Sequence, residues 1–453
     1  MNLASISLRN LRIRLLSSAL TTTSVMVGTA LVAGLWLMID QTKDRYSASY
    51  SGYGAIVGPK EGSPLSLVLS TVLNLGYPPG VVTMDVYRDL REGPLARKLR
   101  TRYAIPQARG DYFGGFPIVG TTDEWFTKFT RSRQSGGDRE PLAFAAGERW
   151  SFGHEDLVAF AEAKSAALQD GEAAELPNGS AGGLRPEWLR AVIGATVAKE
   201  LALGVGSSFV PVHGEHEDVA HHHDEAETSI VGVLAATGTP IDRCIYVPIS
   251  MFLSMEGHEA IRTDTQEVAA DSVVMSAIVY DGLHPLSAGW LRREFQTRAD
   301  AQAAWPHVEI QQFLAVIGDY ADILRVVSWL VIAVAAIGIC VALYNTMNER
   351  RREIAIMRSL GARRGQILSI ILLEATLVSF VGAVAGVVLC HGLAYAARDA
   401  VAARTSVILD WTAWTTDELW LIVGVTLLGA IVGVLPAVKG SLTEVADNLG
   451  PVS

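Results

Sequence analysis

The sequence is poor in cysteine and carries no surplus of positive charge, and each shortage narrows what it can be. Three cysteines occur in 453 residues. Cys340 and Cys390 lie in apolar runs, where a thiol is most simply a small hydrophobe. Cys244 is then alone in the polar part of the chain, so no internal disulfide is expected there. Lys and Arg number 37 against 47 Asp and Glu, a formal net charge of −10. That argues against nucleic acid as a partner, which needs a basic face for the phosphates. The dipeptide Gly-Lys is absent, and with it any G-x-x-x-x-G-K-[ST] phosphate loop. No repeat with a period of 20–50 residues is visible. No nucleophile–base or paired-carboxylate motif stands out, and His154, His258, His284 and His307 read as structural residues. The chain is not expected to be an enzyme.

What the sequence has in quantity is apolar length. Half the residues are hydrophobic, yet 19% are charged, a mixture that suits neither an all-membrane nor an all-soluble protein. The segment from Leu15 to Ile39 carries no charge. At ~1.5 Å per residue, about 20 helical residues cross a ~30 Å hydrocarbon core. The run is too long for the apolar part of a cleaved signal peptide, so it reads as an anchor. Three more runs follow: Val326–Tyr344, Ala375–Ala394 (extended back to Ile367) and Leu419–Val438. The expected order is residues 1–14 cytoplasmic, 15–39 first span, 40–322 extracytoplasmic domain and 323–345 second span. It continues with 346–366 as a cytoplasmic connection, 367–395 third span, 396–418 outer loop, 419–438 fourth span and 439–453 cytoplasmic tail. The orientation comes from the arginines. Arg9, Arg12 and Arg14 precede the first run, and Arg350, Arg351, Arg352, Arg358, Arg363 and Arg364 lie between the second and third. Residues 41–322 hold 24 Lys and Arg against 37 Asp and Glu. Both termini then face the cytoplasm, in a multi-pass protein of the inner (plasma) membrane.

The fold class expected is an integral membrane protein with four transmembrane α-helices, one before and three after a large α+β extracytoplasmic domain. In that domain Thr228–Leu234 and Cys244–Ile249 read as strands, and Leu157–Leu168 and Arg185–Leu203 as helices. Arg131–Glu140, Leu176–Gly183 and the acidic, histidine-rich tract His213–Glu227 read as loops or inserts. Pro59–Gly80 sets an apolar helical stretch between two turn-forming ends. Its simpler reading is a core helix, the sharper one a mobile element that touches cargo.

The most informative stretch is Asn345–Glu374. The second apolar run continues into a short amphipathic helix whose stripe is Ile354, Met357 and Leu360, with Ile356 beside them. Glu349, Arg350, Arg351, Arg352 and Arg358 populate the remainder. Gly361 can close the helix in the left-handed conformation, and Arg363, Arg364 and Gly365 make the turn onward. A short helix of this kind suits docking into a groove on a soluble partner. The bland alternative is that the arginines only set topology and contact lipid headgroups. The ordered pattern Asn345, Glu349, Arg350, Arg352, Glu353, Ile354, Gly361, Ala362, Arg363, Arg364 and Glu374 resembles the signature of the FtsX-like (MacB-type) ABC transporter permeases. The one-plus-three arrangement and the run around Gly429, Gly433 and Pro436 are similar to that family too. Ala195–Phe209 and the stretch ending in Thr237, Gly238, Thr239, Asp242 and Arg243 look like its periplasmic core. The resemblance implies a coupling helix seated on a cytoplasmic ABC ATPase subunit that binds ATP, a second permease copy in a homodimer, and work done mainly outside the membrane. Export, lipoprotein extraction and mechanotransmission to a periplasmic or envelope partner all fit it.

Glu374 is the one carboxylate well inside an apolar run, and it reads as an inter-helix or interfacial hydrogen-bonding group. Gly382 with Gly386, and Gly429 with Gly433, are small-residue pairs that suggest close packing of spans three and four. His213, His216, His221, His222 and His223 lie among carboxylates. Imidazole and carboxylate suit Zn²⁺, although the spacing is that of a loose tract and not of a rigid site. A solvated insert is the competing reading. The alternative function is a membrane-anchored, metal-responsive sensor or receptor that uses this tract as its input.

Overall fold

The computed structural model describes residues 15–132, 139–169, 184–213, 221–222, 224–255, 273–284, 286–349, 351–405 and 410–442. The chain divides into a sheet unit, Asp44–Ala315, and a helical unit made of Met1–Lys43 with Val316–Ser453.

The sheet unit is α+β. Its main sheet has twelve strands among the described residues. These are β1 Ala55–Pro59, β2 Thr101–Phe113, β3 Phe116–Thr121, β4 Phe144–Gly147, β5 Arg190–Ile193, β6 Ser208–Phe209, β7 Val212–His213, β8 His221–His222, β9 Thr228–Leu234, β10 Ile245–Pro248, β11 Ala277–Gly282 and β12 Ala301–Ala304. The spatial order is β12-β1-β11-β2-β3-β10-β5-β9-β4, with β6 on β9, β7 on β2 and β8 on β7. β3 runs parallel to β10 and β5 parallel to β9, and the remaining pairs are antiparallel. The sequence explains the two kinds of strand. In β9 the buried residues are Thr228, Ile230, Gly232 and Leu234, alternating with more open ones, as a strand with one covered face requires. In β10 all four residues are buried, which a short unbroken apolar run allows.

Within the segment Pro59–Gly80 the apolar stretch is a core helix, as its simpler reading has it. Helix α2, Pro64–Val72, follows α1, Leu15–Ser49, of which the residues up to Lys43 belong to the helical unit. α2 opens on a reciprocal cap in which the Ser66 amide donates to Ser63 Oγ and the Ser63 amide to Ser66 Oγ, each at 3.0 Å. It buries Leu67, Val68 and Val72 in the core of the sheet unit.

The helix expected over Arg185–Leu203 is a correction. Arg190–Ile193 is the inner strand β5, and only α3, Ala195–Glu200, is helical there. Ala191, Val192 and Ile193 are fully buried between β10 and β9, so tertiary burial overrides the helical propensity of the neighbouring residues. Gly194 makes the break, because a Cβ there would overlap the backbone of Asp242. The insert at Arg131–Glu140 also begins and ends in strand, Thr130–Ser132 pairing with Arg139–Pro141. Leu176–Gly183 lies outside the described residues.

The chain continues with α4, Pro306–Glu349, whose residues from Val316 on belong to the helical unit, and with α5, Arg351–Ser359, α6, Arg364–Thr405, and α7, Thr416–Ser441. Three stretches are long and apolar enough to cross a membrane: Ser18–Gln41, Arg364–Arg398 and Thr416–Lys439. The apolar part of α4 among the described residues is Val326–Val341.

Candidate functional site: the elbow between the apolar helices

Helix α5 is short, and its C-terminal end passes straight into the next helix. At its C-terminus the Ala362 amide donates to the Met357 carbonyl and the Gly361 amide to the Arg358 carbonyl, both at 3.0 Å. Gly361 stands at φ +97°. This is the left-handed close of a helix, which glycine adopts without a Cβ penalty. The next helix starts at once. The Arg363 amide donates to Gln366 Oε1 at 2.9 Å, so a side chain within α6 satisfies a backbone donor before its first turn.

The apolar stripe of α5 is divided. Ile354, 3% exposed, joins Met347, Ile367, Ile371 and Ala437 in a cluster built from α4, α6 and α7, and the half-buried Met357 packs against it. Leu360 is 83% exposed and Ile356 also faces outward. Arg352, Arg363 and Arg364 are exposed. The stripe therefore does two jobs: Ile354 and Met357 fix the elbow to its own helices, while Ile356 and Leu360 are left beside three cations. For Glu349, Arg350 and Glu353 the side chains lie outside the described residues.

Deeper in the unit, Glu374 is buried on α6. The small-residue pairs are split between two partners. A Cβ on Gly382 would stand 2.7 Å from Val25 Cβ, and one on Gly386 would stand 2.6 Å from the Met26 carbonyl oxygen. Both glycines thus admit α1, not α7. On α7, Gly429 sits directly against Ser379 of α6, and Gly433 is buried. The expectation that all four glycines join spans three and four is corrected to this extent. One pair brings α1 onto α6, and Gly429 brings α7 onto α6.

Sequence reasoning missed a second polar junction in this unit. His391, on α6, places Nε2 3.1 Å from Glu418 Oε1 at the start of α7 and Nδ1 2.6 Å from the Trp411 carbonyl oxygen. Its ring stacks on Trp414 at 4.5 Å. Partners 27 residues apart leave no periodic signal. The only cue was a histidine inside an apolar run. At the same end of α7, a cavity of about 250 Å³ is lined by Trp36, Ile39, Asp40, Asp417 and Trp420.

The sheet unit treats its motif differently. Asp242 accepts from the amides of Thr237 and Gly238 and from Thr237 Oγ1, at 2.7–2.9 Å. Arg243 bonds Glu200 at 3.0 Å and lies over the Phe116 ring at 4.7 Å. The run Thr237–Arg243 is a self-satisfied turn. Beside it, Asn74 Nδ2 donates to Cys244 Sγ at 2.9 Å, and burial pushes the Cys244 thiol up to about 11. That cysteine is held as an unreactive thiol.

Of the histidine tract, His213 enters as a residue of β7, and His221 and His222 form β8. His216 and His223 lie outside the described residues. Among the described residues no group of three or more His, Cys, Asp or Glu stands ready to hold a metal ion.

One comparison falls on the elbow and the helices around it. Residues 325–442 match the family described as FtsX-like permease C-terminal. The chain is 35% identical over 121 residues to "Uncharacterized ABC transporter permease YknZ" of Bacillus subtilis, which is 26% of this chain and 28% of that protein. It is 34% identical over 140 residues to "Uncharacterized ABC transporter permease MJ1507" of Methanocaldococcus jannaschii, covering 28% of this chain and 34% of that one. A longer and weaker match, 26% over 261 residues, is to "Macrolide export ATP-binding/permease protein MacB" of Bdellovibrio bacteriovorus, with 56% of this chain and 37% of that protein covered. The chain thus spans about a third of the length of these relatives.

Proposed function

We propose that this chain, whose residues 325–442 match the FtsX-like permease C-terminal family, is the membrane subunit of an ABC transporter of the FtsX/MacB type, through which a separate cytoplasmic ATPase moves the domain of residues 40–322. The observation that carries the reading is the open part of the elbow. Ile356 and Leu360 are exposed beside Arg352, Arg363 and Arg364, on a helix locked to its own bundle by Ile354. A rigid helix that offers a small apolar patch with cations around it fits a groove with an acidic rim. Lipid headgroups could take the cations. They would not require a helix closed at Gly361 and anchored through Ile354.

In this reading α4 provides the fourth crossing, and both termini and the elbow lie in the cytoplasm, where the arginines belong. The protein sits in the plasma membrane with a second copy beside it. ATP is bound by the partner. Motion of the outer domain serves export, lipoprotein extraction or signalling to an envelope partner. The MacB relatives carry macrolide export in their names. Cargo of that kind is one instance of the first possibility.

Photo-crosslinking tests the docking face. With a photoreactive residue at position 360, the full chain in native membranes is expected to capture a polypeptide that labels with azido-ATP. The same residue at position 354 should capture none. An intact, membrane-inserted permease that yields no ATP-binding adduct from position 360 would sink the proposal. Topology is read in parallel. A cysteine at Glu225 should react with an impermeant maleimide in intact cells, and one at Ser359 only after lysis.

A further inference from the structure

The cavity of about 250 Å³ in the helical unit is walled by two indole rings, two carboxylates and one aliphatic side chain. Trp36, Ile39 and Asp40 come from α1, and Asp417 and Trp420 from the first turns of α7. These walls are held from several sides. Trp36 packs against the apolar cluster that contains Val32, Ala33, Leu421 and Val425. One residue past Asp40, the Gln41 side chain donates to the Asp410 carbonyl at 2.7 Å and accepts from the Asp410 amide at 2.8 Å. That pair ties α1 to the chain entering α7. Glu418, next to Asp417, is fixed to His391 of α6. The cavity is therefore built before anything enters it, and little ordering cost falls on binding.

The chemistry of the lining selects the ligand. Indole faces attract cations, and carboxylates supply the opposite charge. A hard metal ion takes six or more oxygen ligands, which two carboxylates beside tryptophan and isoleucine do not provide. An alkylammonium group spreads its charge over apolar carbon, so it meets the indoles with carbon and the carboxylates with charge. Asp40 is engaged within the protein as well, so the charge offered to a ligand is chiefly that of Asp417, which is exposed. The volume lies below the ~300–1,000 Å³ of pockets for drug-sized ligands. It suits a head group, not a whole amphiphile.

We propose that Trp36, Trp420 and Asp417, with Ile39 and Asp40 beside them, form a binding site for an alkylammonium group, carried by a soluble amine or by a lipid head group. Binding itself is independent of the transport reading. Only the placement of the site at the outer face of the membrane rests on the topology given there.

The probe is choline, read by saturation-transfer NMR on its methyl protons with the purified full chain in maltoside. Its uncharged tert-butyl analogue, of the same shape, is the control. Choline should bind saturably, and the analogue roughly tenfold more weakly. Trp420→Leu and Asp417→Asn, both at exposed positions, should each weaken choline about three- to fivefold and should melt with the wild type. Equal binding of the two probes by the wild type, or no saturable transfer from choline, would overturn the site without recourse to any variant. Unchanged affinity in both folded variants would overturn it too. Nanodiscs then identify the source. If choline binds more weakly in phosphatidylethanolamine than in phosphatidylglycerol, the lipid head group competes for the site and is its occupant. Equal affinity in the two bilayers assigns the site to a soluble amine. A failure of the proposed topology would leave the titration in detergent untouched, so the two readings fail separately.

Discussion

Two stretches of this chain carry residue types at fixed offsets, the turn Thr237–Arg243 in the sheet unit and the elbow Arg351–Arg364 in the helical unit, and the structure spends them in opposite ways. In the turn, the Asp242 carboxylate is enclosed by two amides and a hydroxyl of its own loop, and Arg243 is taken up by Glu200 and Phe116. Nothing is left over for a partner. In the elbow, only the inner half of the stripe is consumed. Leu360, Arg363 and Arg364 remain in the open. A patterned motif is thus evidence of constraint, and only burial says whether the constraint is internal or comes from something that binds.

The sharpest way to break this comparison is to put the same charge on the two halves of α5. Ile354→Asp buries a carboxylate in the cluster of Met347, Ile367, Ile371 and Ala437. An unpaired buried charge of this kind costs roughly 3–5 kcal/mol. The variant should fail to accumulate in membranes, or should melt far below the wild type in detergent. Leu360→Asp changes a side chain that is open to its surroundings. It should shift stability by no more than about 0.5 kcal/mol while abolishing the ATP-binding adduct formed from a photoreactive residue placed at the exposed position 356 instead. If both variants melt alike, the division of the stripe into an inner and an outer half is wrong.

The turn is tested by Asp242→Ala, a smaller effect. The change strands the amides of Thr237 and Gly238, which now donate to the carboxylate at 2.7–2.9 Å. Hydrogen bonds to a charged group contribute roughly 1.5–3 kcal/mol each, less where water can replace them. This loop is only partly buried, so a loss of about 2–3 kcal/mol is expected, read as a lower denaturation midpoint of the purified chain. The adduct formed from position 360 should survive at temperatures where the variant is folded. If the adduct is lost from a fully folded variant, the turn is not the self-contained element described here.

Much of this was legible in the sequence, for physical reasons that also explain what was not. The apolar runs of α1, α6 and α7 announce themselves by length alone, and Thr228–Leu234 by its alternation. The left-handed close at Gly361 follows from glycine after an amphipathic helix. Strand β5 was misread because Arg190–Ile193 is four residues long and abuts helix-forming sequence, and its burial on both sides is imposed by β9 and β10. The glycine pairs announce close packing, yet one chain's sequence does not say which helix comes close. Gly386 met α1. His391 and Glu418 find each other only through the antiparallel return of α7 on α6. The stripe of α5 showed a face without showing that its own bundle covers half of it.

The smallest expected effect concerns the hinge of the elbow, and it separates backbone conformation from packing. Gly361 holds φ at +97°, and a Cβ added there would meet nothing within 4 Å. Any penalty for substitution therefore comes from the backbone conformation and not from collision. A residue with an ordinary side chain held in the left-handed region costs about 1–2 kcal/mol, and asparagine tolerates that region better than a β-branched residue does. Gly361→Asn should accordingly lower the melting temperature of the full chain only slightly, and Gly361→Val should lower it more. The two variants should also differ in coupling, because a valine that escapes strain by leaving the left-handed region re-aims the chain entering α6 and with it Leu360. The adduct from position 360 should persist in the asparagine variant and weaken in the valine variant. If both substitutions are silent in stability and in crosslinking, the angle set at Gly361 is not what aims the docking face, and the burial of Ile354 alone must do so.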